Sequence, residues 1–281
     1  MIWQTKSRSF DLSRRALIMG VLNVTTDSFS DGGKFIDIDR AVAHGKQLAA
    51  EGAEIIDVGG ESTRPGAKPV PEQEELRRVV PVIEALHAAL PDSTISIDTM
   101  KPAVARAAVA AGAAIINDVT GLRDPAMREA VRETGAAAII MHMQGVPRDM
   151  QQSPQYDNVV TEILNYFRQT FQACLACGID PMRLAFDPGI GFGKTVEHNL
   201  ALLRGLDRVR IEGRPLVLGV SRKSFIHKLA DVPDPHDRVP GTIAANVIAL
   251  ERGARVFRVH DVAQASQALK VASATFQRDG A

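Results

Sequence analysis

Cysteine is scarce in this 281-residue chain, and its two copies, Cys174 and Cys177, form a C-x-x-C with nothing to complete it. No second Cys/His pair supplies the other half of a zinc site, and no βα redox context surrounds them. They read as small packing residues on a helix running from Asn158 to Cys177. A surplus of charge is also absent: 33 Lys plus Arg balance 33 Asp plus Glu. No global field therefore draws nucleic acid or an anionic membrane, and an anionic substrate needs positive charge gathered locally. No apolar run reaches the roughly 18 residues a transmembrane helix needs. The basic, Ser-rich start, MIWQTKSRSFDLSRRALIMG, runs straight into Asn23 without a small-residue cleavage site. A secretory signal is not expected, and the cytoplasm is the expected location.

What is present is a repeated strand-to-loop device. Leu17 to Leu22 is an apolar run of the kind a strand buried on both faces shows. Polar residues follow abruptly, through Asn23, Thr25, Thr26, Asp27 and Ser28 to Asp31, and Gly32-Gly33 closes the stretch. A buried strand that discharges into a Ser/Thr/Asp/Gly loop is a rigid post carrying a polar loop. The device recurs. Helical spacing over Asp39 to Ala50 leads to Glu54-Ile-Ile-Asp-Val-Gly-Gly and a second polar loop, Gly59 to Ala67. A helix over about Pro71 to Leu90 leads to Ile95-Ser-Ile-Asp98. Further strands end at Asn117-Asp118, at Met141-His142, at Asp187, at Ser221-Arg222-Lys223 and at Arg258-Val-His260-Asp261, with helical segments between them, including Thr242 to Arg252 and Val262 to Phe276.

Eight βα units without a composition break predict a single (β/α)8 TIM barrel spanning 1–281, with its site where the strands end. Met1 to Ser13 falls outside the repeat and is expected to cover the barrel bottom. A doubly wound open sheet is the other arrangement of the same element order.

Asp98, Asn117 and Asp187 come from three strand ends and would converge in the barrel mouth. Two carboxylates and an amide suit a flat heterocycle with N–H edges, and Lys223 suits a carbonyl or ring nitrogen of the same ring. Taken singly, each Asp could instead cap a helix. Arg258 and His260 lie two apart on one strand and face the same way. With Asn23 opposite they could hold a phosphate or diphosphate, Asn23 acting through a divalent cation; the alternative for Arg258 is a structural pair with Asp261. Gly189-Ile-Gly-Phe-Gly-Lys-Thr lacks the first glycine of a Walker A, where Pro188 stands, but would let backbone approach a ligand. His142, without partners, reads as a barrel-mouth histidine.

MGVLNVTTDSFSDGG, DVGGESTRPGA, IDTMKP, NDVTGL, MHMQG, FDPGIGFGK, GVSRKSFI and RVHDV occur in this order over nearly the whole chain. Together they resemble the dihydropteroate synthase family, with one departure, Thr26, where the family usually has proline. The resemblance implies condensation of a dihydropterin diphosphate with p-aminobenzoate, giving 7,8-dihydropteroate and diphosphate, in folate biosynthesis. It implies that Asp98, Asn117, Asp187 and Lys223 hold the pterin, with Met141 packing on it. Asn23, Arg258 and His260 would hold diphosphate and Mg²⁺, with Thr63 also against the pterin diphosphate. Thr63, Arg64, Pro65, Phe192 and Ser221 would shape the aminobenzoate site, joined by Phe29 and Asp31 once the two polar loops close. It further implies sulfonamide competition and a homodimer built through helices of the later units. The chemistry fits: an aromatic amine is neutral at pH 7 and needs no strong base, and none is conspicuous, so leaving-group stabilisation is the main demand. A dissociative displacement is expected. The rivals are a pterin-dependent methyltransferase, which needs no diphosphate clamp, and a catalytically silent pterin-binding paralogue, which should have lost clamp or loop residues.

Overall fold

The computed structural model describes residues 1–24, 34–64 and 66–276, the side chains of 34–37 excepted. A two-stranded antiparallel hairpin, β1 (Ile2–Gln4) and β2 (Ser9–Asp11), precedes the barrel. Then come β3 (Leu17–Asn23), α1 (Lys34–Ala50), β4 (Ile55–Gly59), α2 (Glu72–Ala89), β5 (Thr94–Asp98), α3 (Pro102–Ala110), β6 (Ile115–Asp118), α4 (Pro125–Thr134) and β7 (Ala137–Met141). The second half continues with α5 (Val159–Ala176), β8 (Leu184–Asp187), α6 (Val196–Arg204), β9 (Leu216–Leu218), α7 (Ser224–Ala230), α8 (Val239–Glu251), β10 (Ala254–Val259) and α9 (Val262–Phe276). The parallel strands close in the order β10-β3-β4-β5-β6-β7-β8-β9, which excludes the open doubly wound sheet.

Local chemistry sets the element ends. Asp124 caps α4 by accepting the Ala126 N–H at 2.8 Å, Pro125 supplies a preset first-turn φ, and Gly135 ends the helix left-handed at φ 66°. Asn158 caps α5 through the Thr161 N–H at 3.0 Å, and Thr195 and His198 form a capping box on α6. Helix α1 starts earlier than the spacing suggested, at Lys34, and the later helix Val239–Glu251 starts three residues before Thr242. Cys174 is buried on α5 and Cys177 ends it; both are free thiols.

Two apolar layers flank the strands. Outside, the helices bury Leu48, Ile83, Val104, Met127, Phe167, Leu202, Leu250 and Leu269 against the barrel wall. Inside, the lower barrel is filled by Leu17, Met19, Ile55, Ile115, Ile139, Val217 and Val256, with Trp3, Phe10 and Leu12 of the N-terminal segment packed onto them. The hairpin therefore closes the bottom, as expected of Met1 to Ser13. Trp3 is wholly buried, and its indole N–H donates to the Arg183 carbonyl at 3.1 Å. Above this plug the inward positions turn polar, and the site begins there.

Candidate active site

Strand register sets the first row of functional side chains. Asn23 pairs with Gly59, Gly59 with Asp98 and Asp98 with Asn117, so these positions stand side by side at the strand ends. Across the barrel Met141 pairs with Asp187. Arg258 starts a layer lower, opposite Met19, and its long side chain climbs into the row. Its Nε donates to Asp57 Oδ2 at 2.6 Å and a terminal nitrogen donates to Asp98 Oδ2 at 2.8 Å. Asn117 Nδ2 donates to the same Asp57 oxygen at 3.2 Å. With its Nδ2 engaged there, the Asn117 amide leaves its oxygen as an acceptor for a ligand edge.

Two glycines face the mouth. A Cβ at Gly59 would lie 3.5 Å from Asn23 Oδ1 and 3.9 Å from Asp98 Oδ2. A Cβ at Gly219 would lie 3.8 Å from Asp187 Oδ2, 3.9 Å from the Arg258 Cβ and 3.9 Å from Lys223 Nζ. The two positions mark a cradle about which Asn23, Asp98, Asp187, Lys223 and Arg258 converge. Asp187 accepts the Gly189 N–H at 2.7 Å. Lys223 donates to the Ile190 carbonyl and stands 4.6 Å from the centre of the Phe192 ring. Met141 joins Met143, Met150, Val119, Met100 and Phe192 in a small apolar wall on that side.

Burial sets the protonation states. It lifts the Asp98 carboxyl to about 7, with Asp57, Glu75 and Asp118 adding repulsion and the Arg258 cation opposing it. Asp187 is raised by burial against the pull of Lys223. Lys223 is brought down by burial to about 8, with Asp187 resisting. Burial works against the Arg258 cation, but Asp57 and Asp98 outweigh it, and the guanidinium stays charged. His260 is pushed down to about 3, by burial and then by Arg258 and Arg222. The protein thus holds it as a neutral imidazole, with Nδ1 2.9 Å from Ser221 Oγ, and the fixed positive charge of the mouth comes from Arg258, Lys223 and exposed Arg64.

Several sequence expectations change here. Arg258 does not pair with Asp261; Arg222 takes that carboxylate through two bonds, of 2.9 and 2.5 Å. Packing alone already requires glycine at 189 and 193. Gly189 and Gly193 have φ of 67° and 60°, and a Cβ on either would run into backbone carbonyls, of His142 and Gln144 respectively. Replacing Gly189 with alanine is therefore expected to cost about 1–3 kcal/mol. Thermal unfolding would show this as a lower midpoint; an unchanged midpoint would mean the loop can shift away. His142 directly follows β7 at the mouth end of the barrel, but its ring has partners. It is buried, edge-on to Tyr166 with ring centres 5.0 Å apart, and its Nδ1 lies 3.1 Å from Lys194 Nζ. Burial and the Lys194 and Arg123 charges push it down to about 2. Thr63 and Arg64 sit on the loop after β4, whereas Phe29, Asp31, Pro65 and Thr26 lie outside the described residues.

Asp57 is the site residue that sequence reasoning passed over. It is fully buried inside the apolar run Ile55–Gly59, and a lone carboxylate at an inward strand position was the available signal. Among the described residues no group of three or more His, Cys, Asp or Glu is placed to hold a metal ion, and no helix is long and apolar enough to cross a membrane.

A closed parallel barrel whose mouth gathers carboxylates, an amide and cations defines a class, and comparison with known proteins agrees with it. Residues 19–260 match the family model described as pterin binding enzyme. Dihydropteroate synthase of Escherichia coli (strain K12) is 47% identical over 267 residues, covering 95% of this chain and 94% of that protein. The structure of Xanthomonas albilineans dihydropteroate synthase with 4-aminobenzoic acid superposes with a TM-score of 0.90 at 47% identity, covering 98% of this chain and 97% of that one. That enzyme in complex with 7,8-dihydropteroate gives a TM-score of 0.87 at 43% identity, covering 98% of both chains. The chain belongs to the pterin-binding enzymes and, among them, to the dihydropteroate synthase family, whose members are transferases.

Proposed function

We propose that the protein condenses (7,8-dihydropterin-6-yl)methyl diphosphate with p-aminobenzoate, giving 7,8-dihydropteroate and diphosphate for folate biosynthesis. The observation that carries this reading is the cradle framed by Gly59 and Gly219, in a chain whose relatives bind the aminobenzoate and the product. Asp98 and Asp187 would accept the N–H edge of the pterin, Asn117 would present its amide, and Lys223 would donate to a ring acceptor. Met141 supplies an apolar surface for the ring.

Arg258 and neutral His260 would receive the diphosphate, with Asn23 at the edge of the mouth. One amide oxygen is too small a set to cage a metal alone. It fits a Mg²⁺ that arrives with the diphosphate and keeps phosphate and water ligands, where the ion would neutralise leaving-group charge. The C–O bond to diphosphate breaks first, and the cation formed at the methylene is spread over the electron-rich pterin. The neutral aryl amine then attacks that carbon and afterwards releases a proton to solvent. Thr63, Arg64, Pro65, Phe192 and Ser221 would orient the amine and its carboxylate, Arg64 by charge. Phe29 and Asp31 would complete the closed site, and Asp31 would support the cation. We place the enzyme in the cytoplasm as a homodimer, one barrel to a subunit.

The test is coupled turnover with dihydropterin diphosphate, p-aminobenzoate and Mg²⁺. Diphosphate and dihydropteroate should appear one for one and cease with EDTA; tight pterin binding without product would overturn the assignment. A pH profile is also expected. Asp98 must be ionised to accept N–H groups, so kcat/KM for the pterin substrate should fall up to about tenfold per pH unit below about 7. A flat profile between pH 5.5 and 8 would remove Asp98 from that role.

A further inference from the structure

A chain of charged groups behind the cradle joins the Asp98 strand end to the root of the loop after β4. Thr99, the residue after Asp98, donates its backbone N–H to the Asn117 carbonyl at 3.1 Å and its hydroxyl to Glu75 Oε1 at 2.7 Å. Glu75 comes from α2 and its side chain is 1% exposed. Its second oxygen accepts from Lys101 Nζ, and the same ammonium donates to Glu61 in the loop. Arg78, one turn along α2, donates to the Gly60 carbonyl at 3.1 Å. Gly60 lies directly on the helix, where a Cβ would stand 2.6 Å from Val79 Cγ1 and 3.0 Å from Glu75 Cγ. The two carboxylates hold Lys101 charged against the cost of its partial burial.

We propose that Lys101 is a positioning residue that, through Glu61, registers the loop bearing Thr63 and Arg64 to the strand end bearing Asp98. The inference rests on the reading of Thr63 and Arg64 as part of the aminobenzoate site. Its consequence is an asymmetry between substrates. Asp98, Asn117 and Asp187 stand on strands and Lys223 at the start of α7, all outside the loop, so they need no help from the link, whereas a loosened loop root falls mainly on the second site. A generic packing role would instead lower the amount of folded protein and leave both substrates equally affected.

Glu61→Gln is the sharper variant, because it takes the charge out of the link to the loop and leaves buried Glu75 paired with Lys101. In Glu61→Gln the KM for p-aminobenzoate should rise about tenfold while the calorimetric Kd for dihydropterin diphosphate stays unchanged. Lys101→Met should raise the same KM, with an added loss of stability because buried Glu75 is left without its cation, and Lys101→Arg should restore most of both losses. Equal effects on the two substrates, or none in Glu61→Gln, would overturn the proposal. Amide hydrogen exchange of residues 59–64 in the ligand-free protein judges the link without reference to substrate. Faster exchange in Glu61→Gln supports it and unchanged exchange sinks it. Absence of turnover in the unsubstituted protein would instead strike the functional reading, so the two failures are separable.

Discussion

Replacing Arg258 with alanine is expected to cut kcat/KM by at least about 10³-fold and to destabilise the fold by about 3–5 kcal/mol. Both effects follow from one side chain. Arg258 is the charged donor to fully buried Asp57 and to nearly buried Asp98, through bonds of 2.6 and 2.8 Å. Its loss removes the cation we propose to receive the diphosphate and strands two carboxylates above an apolar plug. The stability deficit should depend on pH. The folded carboxyl of Asp98 already titrates near 7, above the usual carboxylate value of 3.8, and loss of the cation raises it further. A raised carboxyl contributes stability that is complete below 3.8 and lost as pH rises through its folded value. Below about 7 both proteins hold the Asp98 proton, so this part of the deficit disappears; above it only the parent is compensated. Denaturant unfolding at pH 8 and pH 5.5 should therefore show the larger difference at pH 8. Pairing Arg258→Met with Asp57→Asn should restore much of the stability and none of the activity. A double variant that recovered turnover would show that the guanidinium serves the fold alone.

The parts of the molecule that were legible in the sequence are those governed by near neighbours. Apolar runs interrupted by Asp98, Asn117 and Asp187 announced strand ends, and the register places Asp98 beside Asn117. Eight such units and an odd N-terminal segment sufficed for a barrel with a covered bottom. Partner choice was less legible, because it depends on reach between groups far apart in the chain. Arg258 lies three residues from Asp261, yet its carboxylates are Asp57 and Asp98, 201 and 160 positions away. Alternation along a strand gives the direction a side chain leaves the backbone, but not how far up the barrel a long one climbs. Asp57 sat in an apolar run and was read with its neighbours. Glu75 stands among Glu72, Glu74, Arg77 and Arg78 and looks like part of a solvated helix face, yet it is wholly buried because it meets Thr99 and Lys101. The charge on His260 was not legible either: burial, and then two cations, keep it neutral.

The opposite end of the barrel should behave in the opposite way, and Trp3→Ala tests it. Trp3 is the only tryptophan of the chain, wholly buried against Leu17, Met19, Ile55 and the other residues that fill the lower barrel. Truncation to alanine removes its ring, leaves a cavity too well walled to collapse and strips the Arg183 carbonyl of its donor at 3.1 Å. The expected cost is about 3–5 kcal/mol, a fall in the unfolding midpoint of roughly 5–15 °C. The polar row at the strand ends lies above this plug, and Trp3 touches none of it. Activity per folded molecule at 20 °C should therefore match the parent, with the same KM for both substrates. Trp3→Phe should recover most of the midpoint, because the ring carries more of the stability than the indole N–H. A loss of kcat in fully folded Trp3→Ala protein would mean that the bottom plug sets strand positions at the mouth, and the separation of a stabilising end from a working end would fail for this barrel.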